Sequence, residues 1–214
     1  MISTTGSRHG RQDAFSMALA AFNNPVLKLL ADAIGRKDPY TLNHGMRVAL
    51  YSARLAGRLG LDAEETFWIA VGGFLHDIGK LGFSDRIFSS IDLRLSPRMR
   101  AEVKCHPVTG ALLLKPFPML RPVIPMILYH HERSDGRGYP FGISESRIPL
   151  GARIVSVADC FDAMTTDRPY QRRKAVHQAL AMLGEMGGDC LSADLVRTFV
   201  DDIGSGGIVT MAEC

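Results

Sequence analysis

The chain contains seven histidines, and five of them, His44, His76, His106, His130 and His131, fall on apolar helical faces of the sequence or at their ends. A lone histidine in such a place is more often a hydrogen-bonded core residue than a ligand. Two adjacent pairs shift that balance. His76-Asp77 closes the hydrophobic run VGGFLHD and His130-His131 closes MILYHH, where burying so much unpaired polarity is costly. Asp159 stands inside the apolar stretch IVSVADCFDAM and needs a partner for the same reason. A metal centre satisfies all of these groups at once. Imidazole with carboxylate suits borderline divalent ions such as iron, manganese or zinc. Five histidines with Asp77 and Asp159 exceed what one ion takes, and no thiolate joins them, so the natural reading is two ions a few ångströms apart rather than a structural zinc. A carboxylate can bridge such a pair, and the pair can generate hydroxide near neutral pH while clamping the oxygens of a phosphate ester. The expected chemistry is phosphoester hydrolysis.

These residues must be positioned by helices. His44, Val48, Tyr51 and Leu55 repeat with helical spacing, and a second helix is expected from Asp62 to Ile78. A third passes through Met99, Val103, His106, Gly110 and Leu113, and a fourth through Val123, Ile127, His130 and His131. Ile154, Val157, Ala158 and Phe161 mark a fifth, and Ala179, Leu183, Leu195 and Phe199 belong to two closing helices. Alternating patterns are almost absent, so the expected fold class is an all-α helical bundle. Residues 132–150, ERSDGRGYPFGISESRIPL, break the pattern; a loop of this length directly after a histidine pair points to function.

Composition sets the remaining bounds. A length of 214 residues suits one domain with short extensions, large enough to bury a full core without disulfides. Hydrophobic residues at 46% and charged residues at 22% exclude disorder, collagen and coiled-coil arrays. A net charge of +3 argues for neither a nucleic-acid nor a membrane partner. The scattered Cys105, Cys160, Cys190 and Cys214 form no metal or disulfide pattern, which fits a reducing cytoplasm; Cys105 and Cys160 are expected to be small buried packing residues. The stretch from Ala14 to Phe22 reads as a first helix rather than a leader, because Asp13 sits between it and the basic Arg8 and Arg11.

HDIGK at 76–80, HHERSDGRGYP at 130–140 and ARIVSVADCFDAMTTDRPY at 152–170 resemble the HD-GYP subgroup of the HD-domain phosphohydrolases. The resemblance implies an all-α HD-domain bundle with a long GYP loop, spanning 37–203 after a helical extension at 1–36 and before a tail at 204–214. It implies hydrolysis of cyclic di-GMP to pGpG and/or GMP by a hydroxide bridging two ions, iron or manganese in similar proteins, and a diguanylate-cyclase (GGDEF) or sensory partner protein. Carried over by position, one ion falls to His44, His76, Asp77 and Asp159, the other to the shared Asp77 with His106, His130 and His131. Asp77 and Lys80 are then the catalytic pair, and Lys80, Tyr139 and Arg168 the substrate contacts. Lys80 would neutralise phosphate charge, Arg168 would offer forked donors to a phosphate oxygen, and Tyr139 would pack on guanine or fix the loop. Gly136 and Gly138 are expected to supply unusual backbone angles.

Departures from the family pattern sharpen this. Members resembling a trinuclear type carry a carboxylate four residues before the first histidine, where this chain has Tyr40, a poor ligand near neutral pH; two ions are expected, not three. A proline-containing turn is replaced by FSDRIFSSIDLRLS at 83–96, which bears on substrate access. Gln171 stands where a basic residue is frequent, and Leu191-Ser192-Ala193 replaces a frequent FDP as an expected capping change. The alternatives that stay open are a hydrolase of another cyclic dinucleotide or nucleotide, and a catalytically weak module that binds cyclic di-GMP or a partner.

Overall fold

The computed structural model describes residues 24–83, 96–167 and 172–205. Among these described residues eight α-helices follow in order: α1 Pro25–Lys37, α2 Pro39–Arg58, α3 Ala63–Leu75, α4 Pro97–Leu114, α5 Ile124–Tyr129, α6 Leu150–Thr165, α7 Val176–Glu185 and α8 Ala193–Gly204. Short 3₁₀ turns lie at Ile78–Gly82, Pro118–Val123 and Glu145–Arg147. Among the described residues no strand forms beyond an isolated bridge between Gly187 and Leu191, so the all-α expectation holds. No helix among them is long and apolar enough to cross a membrane.

The helix starts are written locally. Asn24 Oδ1 accepts from the Val26 and Leu27 amides ahead of α1, with Pro25 at a position where a missing N–H costs nothing. Asp38 ends α1 and caps α2, accepting from the Tyr40 and Thr41 amides at 3.1 Å each, so the chain turns between two helices on one residue. Asp62 and Glu65 form a reciprocal capping box on α3. The expected helix at Ala14–Phe22 lies outside the described residues.

Two helices end earlier than their periodicity indicates. The run expected from Asp62 to Ile78 stops at Leu75, and His76 and Asp77 sit in a turn before the first 3₁₀ segment. Asp77 has φ −95° and ψ 8°, in the sparsely allowed bridge region. The departure lets the segment press its backbone onto α4: a Cβ added at Gly79 would lie 1.9 Å from the His106 carbonyl oxygen. Likewise the expected helix through Val123 to His131 is shortened to the six-residue α5, preceded by a 3₁₀ turn that ends at Val123; Pro125 stands in the first turn of α5, where its missing N–H costs nothing. His130 and His131 follow its end.

Among the described residues the core forms two clusters. One gathers Tyr51, Phe161, Leu183, Leu195 and Phe199 from α2, α6, α7 and α8. The other gathers Leu27, Ile34, Phe74, Leu75, Leu114 and Ile127 from α1, α3, α4 and α5. Cys160 packs against the first cluster. Cys105 is exposed, contrary to the packing role expected of it: it stands one position from His106, so its side chain projects about 100° away around the helix.

The segment after His131 is irregular, as expected, but stitched down. The buried Glu132 carboxylate accepts from the amides of Phe141, Gly142 and Ile143 at 2.7, 3.2 and 3.1 Å. The Ser134 and Asp135 amides donate to the carbonyls of Cys190 and Asp189. Gly136 takes φ +75°, as expected, whereas Gly138 is not at positive φ and is needed for closeness: a Cβ there would meet Glu132 Cα at 2.5 Å. Ser192 also departs from its expected capping role. Its side chain makes no cap at the start of α8 and donates to Glu145 of the loop at 2.5 Å.

Candidate metal centre

Seven side chains from five parts of the fold converge. His44 comes from α2, His76 and Asp77 from the turn after α3, His106 from α4, His130 and His131 from the end of α5, and Asp159 from α6. Their ligand atoms divide into two groups, Asp77 with His106, His130 and His131, and His44 with His76 and Asp159, each with its atoms within 4.8 Å of one another. Asp77 faces both: Oδ2 lies 3.3 Å from His76 Nε2 and 3.8 Å from His44 Nε2, and Oδ1 lies 3.3 Å from His106 Nε2. Asp159 Oδ1 lies 3.1 Å from His44 Nε2.

Each of four rings is held by its far nitrogen. Nδ1 of His76, His106 and His130 meets the carbonyls of Gly73, Val103 and Ile127 at 2.7, 2.6 and 2.8 Å. A carbonyl only accepts, so Nδ1 carries the proton and Nε2 of the neutral ring keeps a lone pair. These carbonyls are available for a backbone reason. Gly73 and Ile127 lie in last helical turns, whose carbonyls have no amide four residues on. Val103 lies four residues before Pro107, which has no N–H to give it. His44 is different, because it lies inside α2, where nearby carbonyls are used by the helix; its Nδ1 meets the Asp162 carboxylate at 2.7 Å.

The resulting donor set calls for cations. Nε2 of His106 and Nε2 of His130 face each other at 3.3 Å, two acceptors with no proton between them, and the buried His76 Nε2 has no hydrogen-bond partner. Divalent ions fit that arrangement, with the rings of His44, His76, His106 and His130 presenting Nε2 inward and oriented from behind. Electrostatics agrees. Burial works against ionising Asp77, yet Lys80, His76 and His106 hold its carboxyl well below the usual range. Burial also depresses His106 and His130, the latter strongly, and brings His131 down to about 4, keeping these rings neutral. At His44 burial is outweighed by the Asp159 and Asp162 carboxylates, which raise it to about 9: positive charge is favoured at this point.

Lys80 Nζ donates to Asp77 Oδ2 at 2.5 Å, which places its ammonium at the centre. Tyr139 stacks on the His131 ring, centroids 4.7 Å apart, with Lys104 Nζ 5.7 Å from its own centroid. That stacking ties the GYP loop to the His131 ring. Tyr40, at the departure position, stacks against His44 at 6.0 Å. Arg168, Gln171 and most of the altered segment at 83–96 lie outside the described residues. Sequence reasoning missed Asp162, Arg47, Glu132 and Ser156, whose hydroxyl donates to the His130 carbonyl at 2.5 Å. A helical signal existed for two of them: Asp162 is three residues from Asp159 and Arg47 three from His44, hence each shares a face with a ligand.

The family model described as HD domain matches residues 28–194, and the converging His76-Asp77 pair and GYP loop stand within that span. The chain is an HD domain of the HD-GYP type. This HD-GYP domain is 36% identical over 177 residues to a cyclic di-GMP phosphodiesterase of Thermotoga maritima, covering 82% of this chain and 48% of that protein. It is 34% identical over 167 residues to 3′3′-cGAMP-specific phosphodiesterase 3 of Vibrio cholerae, covering 76% of this chain and 36% of that protein. An HDG"Y"P protein from Bdellovibrio bacteriovorus shares the fold with a TM-score of 0.64 at 22% identity, over 95% of this chain and 75% of that one. The HD-GYP domain thus spans half or less of the length of these two curated relatives.

Proposed function

We propose that residues 37–203 form a metal-dependent phosphodiesterase domain that hydrolyses cyclic di-GMP to pGpG and/or GMP, with 1–36 as an extension and 204–214 as a tail. The observation that carries this reading is the pair of ligand groups joined by Asp77, whose two oxygens face different sets of imidazoles. One ion, iron or manganese, falls to His44, His76, Asp159 and Asp77; the other to Asp77, His106, His130 and His131. Bound there, the two ions supply Lewis-acid charge to phosphate oxygens and ionise a water near neutral pH. The chain's own groups do the rest. Backbone carbonyls hold the Nδ1 protons of His76, His106 and His130, and the Asp162 carboxylate meets Nδ1 of His44, so that Nε2 of each of these rings is turned to the centre. Lys80 neutralises phosphate charge beside Asp77, Tyr139 braces His131, and Arg168 contacts a phosphate oxygen. Tyr40 supplies no third carboxylate ligand, which supports two ions. Neither a nucleic acid nor a membrane enters this reading; a diguanylate-cyclase (GGDEF) or sensory protein is its partner, and the cytoplasm its location.

The test is turnover of cyclic di-GMP by purified protein with added Mn²⁺ or reduced iron. Phosphodiester cleavage that depends on the metal is expected; no turnover with either metal in folded, metal-loaded protein overturns the reading. A second reading, hydrolysis of another cyclic dinucleotide, is favoured by the 34% identity to a 3′3′-cGAMP-specific enzyme. Comparing turnover of cyclic di-GMP and 3′3′-cGAMP separates the two.

A further inference from the structure

The ring of His44 is gripped from both ends by one turn of α6. Asp159 Oδ1 lies 3.1 Å from its Nε2, and Asp162 Oδ2 lies 2.7 Å from its Nδ1. Asp162 is 0% exposed, and a carboxylate so deeply buried needs a full set of donors. It has them: Arg47, one turn beyond His44 on α2, donates from Nε to Oδ1 at 2.7 Å and from Nη2 to Oδ2 at 3.0 Å. The forked guanidinium fixes the plane of the carboxylate, so Oδ2 is held where the Nδ1 proton points. None of the other three Nδ1 partners carries a charge; they are carbonyls left over by helix ends and a proline. An anionic partner makes the opposite ring nitrogen a stronger ligand than a carbonyl does.

We infer that Asp162, clamped by Arg47, is a positioning residue that selectively strengthens metal binding at the His44–His76–Asp159 group, making the two metal positions unequal. The inference rests on the two-ion reading above and adds to it a built-in order of occupancy. A purely mechanical role, tying α2 to α6, would lower stability without distinguishing one ion from the other.

The experiment is Mn²⁺ titration of the full chain by calorimetry, with paramagnetic resonance to separate paired from isolated ions. Wild type is expected to take two ions. Asp162→Asn keeps an oxygen able to accept from Nδ1 but loses the charge; it is expected to weaken one ion by 10–100-fold and leave the other within about twofold, an unchanged site that also reports a folded chain. Combined with His44→Ala it should add no further loss, whereas with His106→Ala the losses should sum. Two unchanged affinities, or equal loss of both ions in a folded protein, overturn the inference alone; a wild type that takes fewer than two ions overturns the two-ion reading and the inference with it. A check that needs no variant is nitrogen-edited NMR of the Zn²⁺-loaded wild type. A slowly exchanging His44 Nδ1 proton is expected, and the Nε2–H tautomer overturns the assignment.

Discussion

Asp202 and Asp77 are buried to almost the same degree, 6% and 5% exposed, and both gather positive charge, yet they are different objects. Asp202 on α8 receives Nε of Arg54 on one oxygen and Nε of Arg58 on the other, and its carbonyl accepts from Arg54 Nη2. Each carboxylate oxygen faces a guanidinium donor, and the Arg58 side chain stays 46% exposed to water. That cluster is complete as it stands and joins α8 to α2. Asp77 meets one ammonium, from Lys80, and otherwise faces imidazole nitrogens that are themselves acceptors. A buried carboxylate is therefore no sign of function by itself. What marks a site is a set of neighbouring polar atoms that cannot satisfy one another.

Four experiments press on that difference. The largest effect is expected from Asp77→Ala, which removes the group common to both ligand sets: turnover should fall to that of buffer and Mn²⁺ binding should lose both ions, with unchanged far-ultraviolet circular dichroism. Activity retained at wild-type level would refute the bridging role. Next, Mn²⁺ at about 1,000 times its dissociation constant should raise unfolding free energy by about 4 kcal/mol for each site filled. Urea titrations with and without chelator measure this, and the increment should be absent in Asp77→Ala but intact in Asp202→Ala. Asp202→Ala itself should cost about 1–3 kcal/mol, less than for a fully buried pair because the orphaned guanidiniums can reach water, with two ions still bound. An ion lost from Asp202→Ala would blur the distinction drawn above. The smallest effect is expected from Glu132→Gln, which leaves one good acceptor for three loop amides: about 1 kcal/mol, read from the urea midpoint, with faster amide exchange at residues 141–143. Unchanged exchange there would show that the loop does not depend on this carboxylate.

Much of the centre was legible because its ligands advertise a local conflict. His76-Asp77 and His130-His131 put polar pairs at the ends of apolar runs, and Asp159 stands within one, so each signals an unmet need without reference to the rest of the chain. The helix ends around them were less legible. VGGFLHDI continues the apolar pattern past Leu75, and periodicity has no means of sensing that the following turn must lie flat on α4 at Gly79. Asp162 was missed although it shares a helical face with Asp159, since its meaning depends on His44, 118 positions away. Glu132 was missed because its partners are backbone amides, which every sequence has.

By itself, the sequence determined the all-α class, the set of candidate ligands and the irregular segment that follows the histidine pair. These depend on helical spacing, on proline and glycine, and on the cost of stranding polar groups in apolar runs, all of which act between near neighbours. The tertiary structure decided how the ligands divide into two groups, which oxygen of Asp77 each group faces, and what stands behind each ring. Those are distances between residues on different helices, set by how the helices pack. His44 shows the reason most clearly: inside α2 it has no spare carbonyl to hold its Nδ1 proton, so the carboxylate that does so had to be brought from α6 by the fold.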